Sequence, residues 1–281
     1  MMGYKRKKQA EFDDYTDVSF KEKFGVHKVV AKQLLEDIKF TEQHWLMWTL
    51  DFLRNYNSFN YSSAHFGVCD KNFREKVWMV IDSIKQLSIK HRTLSKTKFD
   101  KDKESLPDHA ADHPEATIAL AVDSTFCDLE TKDNGFYNGE KKRFGVKYEV
   151  ACVVRTGEIV WVSGPHGASE ADVDIYRQGL KQELMAIDKV RAVADKGYQG
   201  EPDTLITPFK KKQGAIHLPP MEKIYNDWVQ SIRFIIENIF SSYKLFNALN
   251  RQFRGTVDQH RDIFDVITYI INLDTKFKIN H

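Results

Sequence analysis

Apolar residues recur at three- and four-residue steps between residues 41 and 56, where Trp45, Trp48, Phe52, Leu53 and Tyr56 share one side of a predicted helix. Thr41 is expected to cap that helix. A short segment, 60–66, ends at Gly67, and Asp70 opens a longer helix whose Phe73, Val77, Val80, Ile81 and Ile84 fall on one face. Asn72, Arg74 and Lys76 stand on the early outer face of this helix. A short helix, a glycine turn and a longer helix form the layout of a helix-turn-helix DNA reader, with those three polar residues as DNA contacts. A small helical bundle has the same pattern.

The periodicity stops between about residues 91 and 115, a stretch rich in Lys, Asp, His and Ser with Pro107 and Pro114, which reads as a linker. Beyond it the pattern becomes that of strands. The apolar run 118–122 predicts a buried strand ending in Asp123, Ser124 and Thr125. Strands over 145–154 and 158–162 follow, joined through Arg155, Thr156 and Gly157. Ser169 and Asp172 match a capping box ahead of a helix reaching about Met185. A fourth strand, 190–194, runs into Asp195; a fifth, 215–218, stops at Pro219 and Pro220. Helices are expected at 226–250 and 260–273. The fold class is α/β, a sheet with helices preceded by an all-α module, divided into an arm (1–39), a helix-turn-helix module (40–90), a basic polar linker (91–116) and a catalytic domain (117–281).

Composition narrows the class. A chain of 281 residues with 42% hydrophobic and 29% charged content suits two globular units and excludes a fibrous or wholly disordered protein. Lys5, Arg6, Lys7 and Lys8 are followed by Glu11, Asp13, Asp14 and Asp17 instead of an apolar run, so no secretory signal is expected. That basic run reads as a nuclear address, a phosphate-binding arm or a solvated terminus. No apolar stretch reaches the roughly 18 residues that spanning a bilayer needs. Cys69, Cys127 and Cys152 lack the close pairing of a zinc site or disulfide framework. The net charge of +2 matters less than its distribution. Residues 85–104 carry seven basic residues against three acidic ones, and Arg233, Lys244, Arg251, Arg254 and Arg261 form a second basic stretch, so a polyanionic partner fits.

Asp123 and Asp195 each stand where a predicted strand runs out, and ligand sites of α/β sheets gather at the carboxyl ends of strands. Either alone also reads as a turn residue. On the long helix, at roughly 100° per residue, Arg233, Glu237 and Lys244 share one stripe beside the apolar one formed by Val229, Ile232, Ile236 and Tyr243, with Gln230 close by. Arg233 and Glu237 also read as a solvated ion pair. Taken together, three carboxylates from two strand ends and a helix make a hard oxygen site suited to Mg²⁺ or Mn²⁺ and to phosphodiester chemistry, with Arg233 and Lys244 against phosphate. Asp128 and Glu130 read as solvated loop residues, Asp172 as a helix cap and His166 as an exposed loop histidine; Gly197 and Tyr198 are expected to shape the turn presenting Asp195.

Residues 121–125, 145–154 and 164–172, the run Ala194-Asp195-Lys196-Gly197-Tyr198, and Ile236-Glu237-Asn238 with its flanks resemble the DDE endonuclease domain of PIF/Harbinger-like transposases and their bacterial insertion-sequence relatives. The resemblance covers about residues 118–273. It implies a ribonuclease H-like mixed sheet flanked by helices, with Asp123, Asp195 and Glu237 as the catalytic, metal-binding triad. The insertion-sequence pattern of Tyr, two residues, Arg, three residues, Glu, six residues, Lys is matched at Arg233, Glu237 and Lys244, while Gln230 stands where the Tyr belongs. The region 41–87 looks like the helix-turn-helix preceding such domains. The implied function is a DNA transposase that binds element ends and cuts and joins double-stranded DNA, in the nucleus of a eukaryote or the nucleoid of a bacterium. A homodimer or higher oligomer and a second DNA-binding protein are the implied partners. A domesticated DNA-binding protein without transposition and a non-integrating nuclease are the alternatives.

Overall fold

A computed structural model describes residues 9–39, 41–91, 117–187, 190–214 and 217–280. The basic run Lys5 to Lys8 and nearly all of the expected linker lie outside the described residues, as do residues 215 and 216 of the expected fifth strand. Two compact units emerge. The described residues of Met1–His91 and Ser242–His281 form one, and those of Arg92–Ser241 the other. The catalytic domain expected over 117–281 is thus divided, because the last helices pack on the first ones: helix α10 (Val257–Asn280) lies against α5 (Asp70–His91) and α2 (Lys28–Asp37).

The helical unit also contains α1 (Asp17–Phe24), α3 (Gln43–Asn55), α4 (Phe59–Phe66) and α9 (Asn247–Asn250). The expected N-terminal arm is therefore helical in part. Phe12, Phe20, Phe24, Val30, Ala31 and Leu34 are buried, and that burial offsets the cost of ordering the segment. Phe73, Val77, Val80, Ile81 and Ile84 of α5 are fully buried as the periodicity predicts. The cap of α3 is Glu42 instead of Thr41, with no side-chain hydrogen bond. Gly67 ends α4 at φ 69°, the left-handed conformation that glycine adopts without a Cβ penalty.

The other unit is a mixed sheet of six strands: β1 (Thr117–Asp128), β2 (Tyr137–Asn138), β3 (Arg143–Val153), β4 (Ile159–Gly167), β5 (Val190–Val193) and β6 (Leu205–Ile206). The order is β2-β3-β1-β5-β6, with β4 also on β3; β1 runs antiparallel to β3 and parallel to β5. Helices cover both faces. On one, Leu120, Val122, Ala151 and Ala192 pack under Tyr176, Leu180 and Leu184 of α6 (Asp172–Gln178) and α7 (Leu180–Met185). On the other, Ile118, Val193 and Ile206 pack under Val229 and its neighbours on α8 (Pro220–Lys244).

Several boundaries differ from expectation. Strand β1 continues past Asp123 because β3 pairs with it as far as Asp128. Asp128 ends that strand, its carboxylate 2.8 Å from Arg143, and is not a loop residue. The single helix expected before Met185 is broken at Gly179, where an added Cβ would lie 2.9 Å from the Trp161 ring. Pro219 and Pro220 do not stop a strand; Pro220 opens α8, a position where its missing N–H costs nothing. No helix among the described residues is long and apolar enough to cross a membrane.

At Gly145 of β3 an added Cβ would clash with the Cys127 carbonyl oxygen and the Phe126 ring of β1. Gly145→Ala is expected to destabilise this unit by about 1–3 kcal/mol through overpacking. Adding Phe126→Ala should fail to restore it, since the backbone oxygen remains; restoration in a denaturant titration would remove backbone crowding as the cause.

Candidate active site

Alternation along the strands decides which residues meet. Successive side chains of a strand point to opposite faces, so Val122 and Ser124 face α6 and α7, while Asp123 faces α8. The same rule turns Val193 and Asp195 toward α8. In the parallel register Ala121 is level with Val193, the last residue of β5, so Asp123 and Asp195 each lie two residues beyond that pair. Asp195 stands past a strand end as predicted. Asp123 is inside a strand, but two residues past the level at which its parallel neighbour ends.

Arg233 of α8 meets both aspartates. One guanidinium nitrogen, Nη2, donates to Asp123 Oδ2 at 3.0 Å; the other, Nη1, donates to Asp195 Oδ1 at 3.3 Å and to Gln230 Oε1 at 3.2 Å. Gln230 Nε2 in turn donates to Glu237 Oε1 at 2.8 Å. Glu237 thus joins the two aspartates through Gln230 and Arg233. Gln230 stands one helical turn before Arg233 and two before Glu237, so a single amide reaches both. Arg233 belongs to the buried stripe of α8 and is only 7% exposed, whereas Glu237 is half-buried. Lys244, the last residue of α8, belongs to the helical unit.

Burial pushes the Asp123 carboxyl above its ordinary range, against the backbone N–H of Ser124 and the charge of Arg233, which favour the ionised form; Asp195 adds to the rise. Three carboxylates against one guanidinium leave a formal charge of −2. Among the described residues no group of three or more His, Cys, Asp or Glu side chains converges as a ready metal cage. The donor set nevertheless fits a hard divalent cation: Asp123 and Asp195 present carboxylate oxygens to one common cation, the Arg233 guanidinium, and the charge balance is short by two.

Behind Asp123, on the opposite face of the sheet, lies a polar cluster the motif reading missed. Asp172 Oδ1 accepts from Ser124 Oγ at 2.5 Å and from Lys147 Nζ at 3.0 Å. Asp172 is therefore not a capping-box residue; Ala171 caps α6 with no side-chain bond. Glu149, paired across the strands with Ser124, is fully buried and accepts from Trp161 Nε1 at 3.1 Å. The period-two pattern carried this signal, since Lys147 and Glu149 share a strand face. His166 lies on β4, not in an exposed loop; its Nε2 is 2.7 Å from Ser163 Oγ and burial lowers its pKa. Asn72 is half-buried on α5, Arg74 pairs with Asp70 at 3.1 Å, and Lys76 sits 4.0 Å over the Trp45 ring.

Two predictions follow from these contacts. Removing the cation in Arg233→Met should destabilise the protein toward the lower end of about 3–5 kcal/mol, since Asp195 is half exposed; an unchanged denaturation midpoint would rule out a structural ion pair. Glu149 titrates at about 8, raised mainly by burial and further by Asp172, with the Trp161 bond opposing. The folded state therefore holds this proton more tightly than the unfolded chain. The associated stability is full below pH about 4.5 and is lost as pH rises through about 8. Glu149→Gln keeps a partner for Trp161 and should flatten stability across that window; an unaltered pH profile in thermal denaturation would refute it.

Residues 122–272, more than half of the chain, match the family described as DDE superfamily endonuclease. A protein from Microchaete diplosiphon described as a probable transposase for insertion sequence element IS702 is 27% identical over 125 residues, which is 43% of this chain and 43% of that relative. No solved structure matches the chain. With both aspartates, Arg233 and Glu237 inside the matched span, the chain belongs to the DDE superfamily of endonucleases.

Proposed function

We propose that this protein is a DNA transposase of the PIF/Harbinger-like and insertion-sequence type, with a ribonuclease H-like catalytic fold and Asp123, Asp195 and Glu237 as its catalytic carboxylates. The observation that carries the reading is the junction of Asp123 on a strand, Asp195 just past a strand end and the helix-borne Glu237 through Arg233 and Gln230. The substrate is double-stranded DNA, the element's ends and a target. The helices of residues 41–87 read the ends as a helix-turn-helix, with Asn72, Arg74 and Lys76 at the DNA and Lys244 on phosphate. A pair of ends calls for at least a dimer, and a second DNA-binding protein completes the assembly. The site of action is the nucleus of a eukaryote or the nucleoid of a bacterium.

Asp123, Asp195 and Glu237 would hold Mg²⁺ or Mn²⁺. When bound, these ions activate water or a 3′ hydroxyl for attack on a phosphodiester and steady the leaving oxygen. The chain's own residues prepare that chemistry. Arg233 keeps the two aspartates turned toward each other and offers a guanidinium suited to phosphate oxygens. Gln230, where related sequences carry Tyr, holds Glu237 toward Arg233. Sheet and helix hold all five groups before substrate arrives, which lowers the reorganisation needed during reaction.

A strand-cleavage assay on DNA carrying the element's own ends, with Mg²⁺ or Mn²⁺, tests the reading. Wild type should cut, and Asp123→Asn, Asp195→Asn and Glu237→Gln should lose at least about a hundredfold in rate, the scale on which removal of a preorganised electrostatic group acts. Equal cutting by the variants would overturn the triad. Binding without cutting by wild type would indicate a domesticated DNA-binding protein.

A further inference from the structure

The helical unit contains a cavity of about 490 Å³, within the roughly 300–1,000 Å³ of small-ligand sites. Its walls include the rings of Phe52, Tyr56, Phe59, Trp78 and Phe253. Packing holds these rings in place: Phe52 stacks on Phe59 at 4.8 Å and Tyr56 on Phe253 at 5.5 Å, both nearly parallel. The chain keeps Tyr56 at φ 50°, a left-handed conformation that is costly for a bulky residue. Arg254 supports it there, donating its backbone N–H to the Tyr56 hydroxyl at 2.8 Å and Nη2 to the Tyr56 carbonyl at 2.7 Å.

Two cations accompany the rings. The Arg74 guanidinium lies 4.5 Å over Phe59 and that of Arg254 4.6 Å over Tyr56. No carboxylate lines the cavity. Arg74 shares its charge with Asp70, whereas Arg254 pairs with no carboxylate among the described residues. An apolar side chain would use the rings and leave the Arg254 guanidinium uncompensated. Inorganic phosphate would use the guanidiniums and leave the rings idle. A flat group joined to an anion uses both, and an unpaired nucleotide is such a group: any base offers a face for stacking on aromatic rings, and its phosphate suits a guanidinium.

We propose that this cavity binds one unpaired nucleotide of DNA, its base against the Trp78 ring, since Phe59 already carries Phe52 and Arg74, and its phosphate at Arg254. The choice of ligand rests on the reading of the chain as a DNA-processing enzyme. The cavity itself lies wholly within the helical unit and contains none of the three acids.

The test is metal-free binding of a labelled eight-nucleotide oligothymidylate to the full chain by fluorescence anisotropy, beside an abasic strand of the same length and with inorganic phosphate as competitor. Wild type should bind the oligothymidylate at least about tenfold more tightly than the abasic strand, which keeps the phosphates and lacks the bases. Trp78→Leu should abolish that ratio and Trp78→Phe, which keeps a stacking face, should retain most of it; Arg254→Gln should weaken both strands, measured below its own thermal midpoint because it also loses the bond to the Tyr56 carbonyl. Equal affinity for the two strands, or full displacement by phosphate alone, would overturn the proposal. So would a base-dependent ratio untouched by Trp78→Leu. Asp195→Asn should bind as wild type does while cutting at least about a hundredfold more slowly; equal cutting by it with base-dependent binding intact sinks only the catalytic reading, and wild type that cuts without base-dependent binding sinks only the cavity's.

Discussion

A guanidinium in the buried stripe of a helix is expensive unless its charge is answered, the uncompensated cost running to several kcal/mol. Arg233 is 7% exposed, and the two aspartates that answer it come from segments far apart in sequence. This one interaction requires β1 and β5 to lie side by side and parallel, α8 to cover that face of the sheet, and Asp123 and Asp195 to stand at the same level. Each aspartate in turn needs the cation, because two carboxylates turned toward one point repel. The pairing leaves the cluster short of positive charge in an otherwise apolar layer.

The strand carrying Asp123 serves two faces. Toward α8 it presents the acid; toward α6 it presents Ser124, whose hydroxyl ties Asp172 to the sheet beside Lys147 and the buried Glu149. The backbone N–H of Ser124 also donates to Asp123 Oδ1 at 2.8 Å, so the second cluster touches the first through one residue. Polar groups on both sides of one strand are tolerated because each finds partners in the helix above it.

The family match and the geometry reinforce each other from different directions. The match extends to residue 272 and so includes much of α10, a helix that packs on α5 and α2 within the helical unit. Family membership in sequence therefore does not coincide with a compact unit in space. The helical unit has its own aromatic interior, with Phe66 stacked on Phe73 and Tyr243 on Phe264.

Local pattern made much of this readable. The α5 face from Phe73 to Ile84, the strands around 118–122, 145–154 and 190–194, the αL turn at Gly67 and the position of Asp195 past a strand end all follow from periodicities of 3.6 and 2 and from turn chemistry, which act between near neighbours. The acids and Arg233 were legible as candidates for the same reason. What periodicity could not supply was anything set by a partner strand or helix. Strand β1 runs on to Asp128 because β3 pairs with it, Asp172 leaves a capping role for Ser124 and Lys147, and residues 242–281 join the N-terminal helices because their apolar faces meet there. The sequence by itself determined which residues could carry the chemistry. Only the tertiary structure decided that Arg233 stands between Asp123 and Asp195 and so joins them to the Gln230–Glu237 pair of its own helix, since hydrogen bonds spanning 110 and 38 residues depend on register and packing, which no short window of sequence contains.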